Sequence, residues 1–266
     1  MTIGLVIIDT YKGKEFLSWI IDQCDQIINF NQIYTFSDEK FTTKGNWYKI
    51  PRLKSIGEYN DLVLKVLPYI IDSEHIIIVQ WDGFIVDGKK WSDEFLNYDY
   101  IGAPWEGHNP GYEIGNGGFS LRSQRLLQQL KNSSLVTYFK QPDLAEDVLI
   151  CKVYKSALEF EGIKFAPKSV ATKFSYEWGG EARAPFGFHG PINLAFFTPE
   201  NILTRFSEDI ITRMKHPGVL IQFVRNLQLL SKNEALNCFI ELINRNHATL
   251  GKINQYIASL TSLSKR

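Results

Sequence analysis

The chain has 266 residues, of which 44% are hydrophobic and 22% are charged, and its formal net charge is zero. This composition is that of an ordinary globular protein with one large domain or one domain and an appendage. The balanced charge argues against a protein that coats nucleic acid, because that role usually requires a basic excess.

The first part of the chain alternates between strand-like and helix-like segments. Continuous apolar runs are typical of strands buried on both faces, and apolar residues at a spacing of three to four are typical of helices. One helix has a clear start, because Ser55 and Glu58 match the capping-box pattern. The predicted elements are strands at 3–8, 32–36 and 75–79 and helices at 16–27 and from 55 to 70.

This β-α-β-α-β order predicts a parallel sheet covered by helices. Ligands of such sheets bind beyond the carboxyl ends of the strands. We therefore expect functional side chains at Thr10 after the first strand, at Asp38 after the second, and at Gln80 and Asp82 after the third.

The second part of the chain contains two ordered loops and a change of composition. Residues 91–118 are rich in glycine, proline and aromatic residues, which is typical of functional loops. We predict a helix from Ser120 or Ser123 to Lys131, a helix over 145–158 and a strand over 163–167. After residue 198 glycine becomes rare and apolar residues recur at helical spacing. The sequence thus predicts a domain over 1–198 and a helical C-terminal extension over 199–266.

Asp82 is the first candidate for chemistry. A carboxylate directly after a buried strand can hold Mg²⁺ or Mn²⁺ against the phosphates of a nucleotide, since hard cations prefer oxygen ligands. The alternative is that Asp82 only begins a turn, because Asp-Gly is a common turn pair.

A glycine-rich run, Gly115-Asn116-Gly117-Gly118, is the second candidate. Its glycines permit close approach of the backbone to a ligand, and the helix predicted after it would present N–H groups to an anion. A tight structural turn explains the same residues. Arg122 either pairs with a phosphate or a carboxylate or is a solvated helix residue.

Two further positions complete the set. Glu146 and Asp147 open a predicted helix, where the helix dipole favours acidic residues and where a general base for an acceptor hydroxyl is also possible. His189 lies in a glycine-flanked loop that suits a metal ligand, although single histidines are more often structural. His108 is a candidate residue of an acceptor loop.

The order of these features resembles the nucleotide-sugar-dependent glycosyltransferases of the GT-A fold. The stretches VQWDGF, YDYIGAPW, GNGGFSLRS, AEDV and FGFHG are most similar to an uncharacterised family of such proteins from bacteria and large viruses. The resemblance covers residues 1–195. It implies an α/β fold with a GT-A-like (Rossmann-like) mixed sheet flanked by helices, and it leaves out the helical extension.

The resemblance also implies roles. Asp82 corresponds to the last acid of the Asp-x-Asp metal motif, and His189 to the late histidine that completes the site for Mn²⁺ or Mg²⁺. Asp147 corresponds to the base of inverting members, in the x-Glu-Asp motif with Glu146. The remaining implied positions are Gly117 and Gly118 beside the donor sugar.

One position departs from the family pattern, because Gln80 replaces the first acid of Asp-x-Asp. Its amide can hydrogen-bond the ribose or a metal-bound water but contributes no charge. Donor contacts are further expected from Thr10, Tyr11, Asp38 and Arg122. Trp105 is expected to stack on an acceptor sugar or to pack in the core, and His108 to contact the acceptor.

The predicted function is metal-assisted transfer of a sugar from a nucleotide sugar to a hydroxyl of a glycan or other acceptor, with inversion, in polysaccharide biosynthesis. The alternatives are a non-catalytic module that binds a nucleotide sugar or glycan, and a sugar nucleotidyltransferase.

The sequence contains no stretch near the roughly 20 apolar residues of a membrane span and no signal-peptide pattern, so we expect a cytoplasmic location. For the helical extension we expect self-association or docking on a membrane or a partner enzyme. The three cysteines are expected to be free thiols.

Overall fold

The computed structural model describes residues 2–107, 109–132, 143–177, 185–214 and 216–245. The strands are β1 (Ile3–Ile8), β2 (Gln32–Ser37), β3 (Asn46–Lys49), β4 (His75–Val79), β5 (Tyr100–Ile101), β6 (Ser120–Ser123), β7 (Ser175–Tyr176) and β8 (Gly187–Phe188). The helices of the first two thirds are α1 (Glu15–Ile27), α2 (Ile56–Asp61), α3 (Leu67–Ile70), α4 (Gln124–Asn132), α5 (Glu146–Val148), α6 (Lys155–Phe160) and α7 (Lys168–Phe174). π-Helical turns at Leu62–Val66 and Leu149–Val153 follow α2 and α5, and 3₁₀ turns lie at Gly88–Lys90, Asp93–Asn97 and Pro191–Asn193. The later helices are α8 (Leu194–Phe197), α9 (Glu200–Arg205), α10 (Ser207–Arg213), α11 (Pro217–Leu229) and α12 (Asn233–Arg245).

The central sheet has six strands in the order β3-β2-β1-β4-β6-β5. The strands β1 to β4 are parallel to one another, whereas β6 runs antiparallel to both β4 and β5. This arrangement confirms the predicted α/β class with a mixed sheet flanked by helices. The edge strand β3 was not predicted, because its residues are exposed or half-buried and lack an apolar pattern.

The core follows from the apolar strands. All five residues of β4 are buried, as expected of a central strand covered on both faces. Tyr34 and Phe36 of β2 pack in a cluster with β1, β4 and the segment from α2 to α3. The Ser55 hydroxyl accepts a hydrogen bond from the Glu58 backbone N–H, which confirms the predicted start of α2.

Three predicted elements are wrong in part. Residues 120–123 form β6 and not a helix; α4 begins only after Ser123, whose hydroxyl accepts from the Leu126 N–H at 3.0 Å. The segment 163–167 makes only an isolated bridge through Phe165 to Tyr100. The predicted helix over 145–158 is divided by the π-helical turn, because its backbone changes from α to π geometry at Leu149.

The chain forms two compact units, Met1–Tyr11 with Ile20–His189 and Lys12–Trp19 with Gly190–Arg266. In the second unit, the Arg213 guanidinium donates to the Gly13 carbonyl at 2.8 Å, and the rings of Phe223 and Phe239 pack edge to face at 4.8 Å. Helices do occupy the described part of the predicted extension. The division at residue 198 and the role of the extension stay predictions.

Two simpler expectations concern cysteines and membrane spans. The three cysteines are free, as expected, and Cys24 and Cys151 are buried. Within the described ranges, every helix is too short or too polar to cross a membrane.

Candidate functional site

A tight turn at the end of β4 presents Asp82. The backbone N–H and carbonyl of Gln80 bond the carbonyl and N–H of Gly83 at 2.9 and 3.1 Å. Asp82 is buried and lies between these two residues. The strand and its turn therefore place Asp82 just beyond the carboxyl end of β4, as predicted.

His189 lies next to Asp82. Its Nε2 is 3.7 Å from Asp82 Oδ1, and its Nδ1 is 3.2 Å from Glu177 Oε1. Burial lowers the pKa of the His189 imidazole, but Asp82 and Glu177 more than offset this and raise the pKa to about 9. A carboxylate on the far nitrogen is the usual way to orient a metal-binding imidazole.

Two glycines leave space for the His189 ring. A Cβ added at Gly118 would lie 2.2 Å from Nε2, and one added at Gly83 would lie 2.8 Å from Cδ2. Neither glycine has a positive φ, so close approach and not backbone conformation requires them. The glycine-rich run leads into β6, so the predicted role of a following helix N-terminus is wrong.

Glu146 and Arg122 form a buried ion pair. Arg122 Nη2 donates to Glu146 Oε1 at 2.6 Å, and its Nε donates to Ser120 Oγ at 3.1 Å. Both side chains are almost fully excluded from solvent. Burial raises the pKa of the Glu146 carboxyl, and Arg122 opposes that rise.

This pair bears on two sequence-based expectations. Arg122 is a fully buried strand residue whose guanidinium pairs with Glu146, so the expected carboxylate partner is found and the expected solvated helix position is wrong. Its contact with the donor stays a prediction. Glu146 is likewise held inside the protein and supports the loop at Gly117, where an added Cβ would lie 2.2 Å from Glu146 Oε1.

Asp147 is the accessible member of the acidic pair. It is half-buried at the start of α5, as predicted. Its Oδ2 accepts from the Gly117 N–H and its Oδ1 from the Val148 N–H, both at 2.8 Å. Each oxygen keeps lone-pair capacity for a further hydrogen bond. The backbone thus fixes a carboxylate that can still accept a proton.

These groups line one cavity of about 320 Å³. Its lining consists of Ile56, Tyr59, Gln80, Trp105, Asn116, Gly117, Gly118, Ala145, Glu146, Asp147, Glu177 and His189. The cavity therefore brings together the predicted base, the glycine run, the late histidine and one predicted acceptor residue. Asp82 adjoins it through His189.

Other predicted residues lie elsewhere. Among the described residues, the cavity lining does not include Thr10, Tyr11 or Asp38. The Thr10 hydroxyl accepts from the Leu53 N–H at 2.9 Å, and the Tyr11 N–H donates to Asp9 Oδ1. These residues follow β1 and β2 at the same edge of the sheet as Gln80, so their donor role stays a prediction.

The predicted acceptor residues are Trp105 and His108. Trp105 packs against Gly115, where an added Cβ would lie 2.1 Å from the ring, and Lys152 Nζ lies 4.5 Å from the ring centroid. The indole thus packs on the glycine-rich run and lies in the cavity lining, and its stacking on an acceptor sugar stays a prediction. His108 lies outside the described residues.

The donor set at Asp82 and His189 fits a divalent cation only in part. Among the described residues, no cluster of three or more acidic, histidine or cysteine side chains forms a complete metal site. One carboxylate and one imidazole, the latter oriented by Glu177, leave the remaining positions to substrate oxygens. Mg²⁺ in particular is commonly bound through one or two carboxylates and substrate phosphates.

Sequence reasoning missed Tyr59 and Glu177. Tyr59 lies within the helix predicted from 55 to 70, and its hydroxyl accepts from Gln80 Nε2 at 3.1 Å. Glu177 lies in a loop, and the residues around it form no distinguishing motif. Only the three-dimensional proximity to Gln80 and His189 identifies them.

A search of curated proteins found no match. Among solved structures, the chain is similar to a glycosyltransferase involved in the glycosylation of the major capsid of PBCV-1, with 11% identity and a TM-score of 0.46 over 71% of this chain and 92% of that one. It is also similar to the galactosyltransferase LgtC, with 11% identity and a TM-score of 0.46 over 80% of this chain and 97% of that one. For S. aureus TarS 1–349 the identity is 10% and the TM-score 0.40, over 87% of this chain and 73% of that one.

A family model described as "Protein of unknown function (DUF5672)" matches residues 46–189. Because that match spans more than half of the chain, the protein belongs to the DUF5672 family.

Proposed function

We propose that the protein is a glycosyltransferase that moves a sugar from a nucleotide-sugar donor to a hydroxyl acceptor. The observation that carries this proposal is the common cavity of Asp147 and His189. Activation of the acceptor requires a fixed, accessible carboxylate, which Asp147 supplies. Binding of the diphosphate requires stabilisation of its charge, for which the pair of Asp82 and His189 lies beside the glycine-rich run.

Asp147 is the proposed general base. It removes the proton from the acceptor hydroxyl, whose oxygen then forms a bond to the anomeric carbon of the donor. The bond from that carbon to the diphosphate oxygen breaks, and the electron pair leaves with the diphosphate. One base on the acceptor side is sufficient for inversion, by analogy with glycoside hydrolysis.

Asp82 and His189 are the proposed ligands of Mn²⁺ or Mg²⁺, and Glu177 orients His189. Binding of the cation would displace the proton that Asp82 and Glu177 hold on His189. Such a cation, when bound, neutralises charge on the leaving diphosphate. The acidic side chains of Asp147 and Glu177 at the cavity support this need for a cation, because a diphosphate would otherwise meet like charge.

Binding of nucleotide sugars tests the site. Calorimetry with a panel of UDP-, GDP- and ADP-sugars should detect one donor that binds more tightly with Mn²⁺ than with EDTA. Asp82→Asn should remove the Mn²⁺ dependence, whereas Asp61→Asn, at an exposed residue of the same unit, should retain it. Equal binding by wild type and Asp82→Asn would contradict the assignment.

A non-catalytic nucleotide-sugar or glycan-binding module is the second candidate. The amide of Gln80 favours it, because a neutral side chain beside Asp82 holds a cation less tightly than an acid. Donor binding without release of nucleoside diphosphate, at any acceptor tested, would support this candidate over the enzyme. Release of pyrophosphate from a nucleoside triphosphate and a sugar phosphate would instead indicate a nucleotidyltransferase.

A further inference from the structure

The two polar atoms of the Gln80 side-chain amide have different surroundings. Its Nε2 donates to the Tyr59 hydroxyl at 3.1 Å. Its Oε1 faces the glycine run, since a Cβ added at Gly118 would lie 2.7 Å from Oε1 and 2.2 Å from His189 Nε2. The acceptor end of the amide is thus directed to the corner of the cavity where Gly118 and His189 meet.

Tyr59 is well suited to hold this amide. Burial and the Glu146 carboxylate raise the pKa of the Tyr59 phenol, so its hydroxyl remains neutral across the working pH range. The hydroxyl accepts from Gln80 Nε2 and thereby holds the amide beside α2, with Oε1 on the side of Gly118. Without that partner the amide can rotate away from Gly118 and His189.

The helix α2 that carries Tyr59 is itself tied to the site. The next residue, Asn60, is buried, and its Nδ2 donates to the Leu144 carbonyl at 2.8 Å. Leu144 precedes the turn that carries Asp147. Two consecutive residues of α2 therefore contact the two segments that supply Gln80 and Asp147, and a π-helical turn follows each of the helices α2 and α5.

We propose that Tyr59 is a positioning residue that holds the Gln80 amide at the donor pocket, where Oε1 lies beside Gly118 and His189. A neutral acceptor in this orientation binds a donor hydroxyl or a cation-bound water, whereas the reversed amide would present N–H donors to both the cation and its ligands. The functional part of this inference rests on the proposed function, but the hydrogen bond itself does not.

The hydrogen bond is tested without any ligand. In a ¹⁵N–¹H correlation spectrum, the Gln80 side-chain NH₂ pair is identified by its loss in Gln80→Ala. We expect that pair to shift in Tyr59→Phe and to stay in place in Tyr69→Phe, since Tyr69 is 70% exposed and serves as a matched control. An unchanged Gln80 pair in Tyr59→Phe would overturn the inference, even if the wild type is active.

The functional consequence is tested by a double-mutant cycle on the KM for the donor. Tyr59→Phe should raise this KM about threefold to tenfold, the usual effect of one lost hydrogen bond, with a smaller change in kcat. In the Gln80→Ala background the same substitution should change it less than about twofold. An equal effect in both backgrounds would overturn the positioning role. Absence of turnover in the wild type would contradict the proposed function alone, and the NMR result would still decide on Tyr59.

Discussion

The Asp147 carboxylate accepts a hydrogen bond from the backbone N–H of Gly117 at 2.8 Å. This bond joins the glycine-rich run to the start of α5, although 30 positions separate the two residues in the chain. It fixes the half-buried carboxylate of the Glu146–Asp147 pair, whereas Glu146 is buried against Arg122. The geometry therefore assigns different tasks to two adjacent acids.

The first prediction follows from that assignment. Asp147→Asn should lower kcat by about 10²- to 10⁴-fold, the usual contribution of a general base, because an amide cannot take the acceptor proton. Donor affinity should change only a few-fold, since the Asn oxygen can still accept from the Gly117 N–H. Steady-state kinetics and calorimetry measure both values, with exposed Asp143→Asn as the control. A variant that retains most of its activity would show that Asp147 is not the base.

The second prediction concerns the space for His189. Gly118→Ala should abolish Mn²⁺-dependent donor binding, because the new methyl group would lie 2.2 Å from His189 Nε2 and must displace the ring. Gly218→Ala introduces the same methyl group at a less crowded helical position, 3.3 Å from the nearest atom, and should leave binding unchanged. Calorimetry with Mn²⁺ and the preferred donor compares the three proteins. Wild-type binding by Gly118→Ala would contradict the described packing.

The third prediction concerns pH. The folded-state pKa of His189, about 9, exceeds the unfolded value near 6.5, so its ion pairs contribute their full stability below about pH 6.5. That contribution, roughly 3 kcal/mol, is lost as the pH rises from about 6.5 to 9. Urea denaturation in EDTA should therefore show wild-type stability falling over this range relative to His189→Gln, and Glu177→Gln should show a smaller fall. Parallel pH profiles for wild type and His189→Gln would refute the ion pairs.

The fourth prediction concerns the buried ion pair. Arg122→Met should lower the free energy of unfolding by about 3–5 kcal/mol, because it leaves the Glu146 carboxylate buried without its cation. Arg125→Met, at a side chain that is 54% exposed, should cost less than about 1 kcal/mol. The double variant Arg122→Met with Glu146→Leu should recover part of the loss. Denaturant titration measures all three, and similar losses at Arg122 and Arg125 would be inconsistent with a buried pair.

The sequence predicted those parts that depend on local pattern. The apolar run of β4 and the capping box at Ser55 determine the strand that precedes Asp82 and the helix that follows Ser55. The pattern failed at Ser120, where a serine that resembles a helix cap begins a strand. There the hydrogen bonds to β4 and β5, which are distant in sequence, determine the structure.

The same limit applies to the site. Residue type and position in the sequence selected both Glu146 and Asp147 as candidates. Only the packing shows that Arg122 pairs with Glu146 and that Asp147 stays accessible. Tyr59 has no signal in the sequence beyond an apolar helix position. Its hydroxyl becomes significant only because Gln80, 21 residues later, lies within hydrogen-bond distance.

The central claim is tested most directly by release of nucleoside diphosphate from a panel of nucleotide sugars in the presence of Mn²⁺ and hydroxyl acceptors. The account predicts release from one donor by the wild type, with a matching increase in acceptor mass, and its loss in Asp147→Asn. Donor binding with no diphosphate release from any donor–acceptor pair, or equal release by Asp147→Asn, would contradict it.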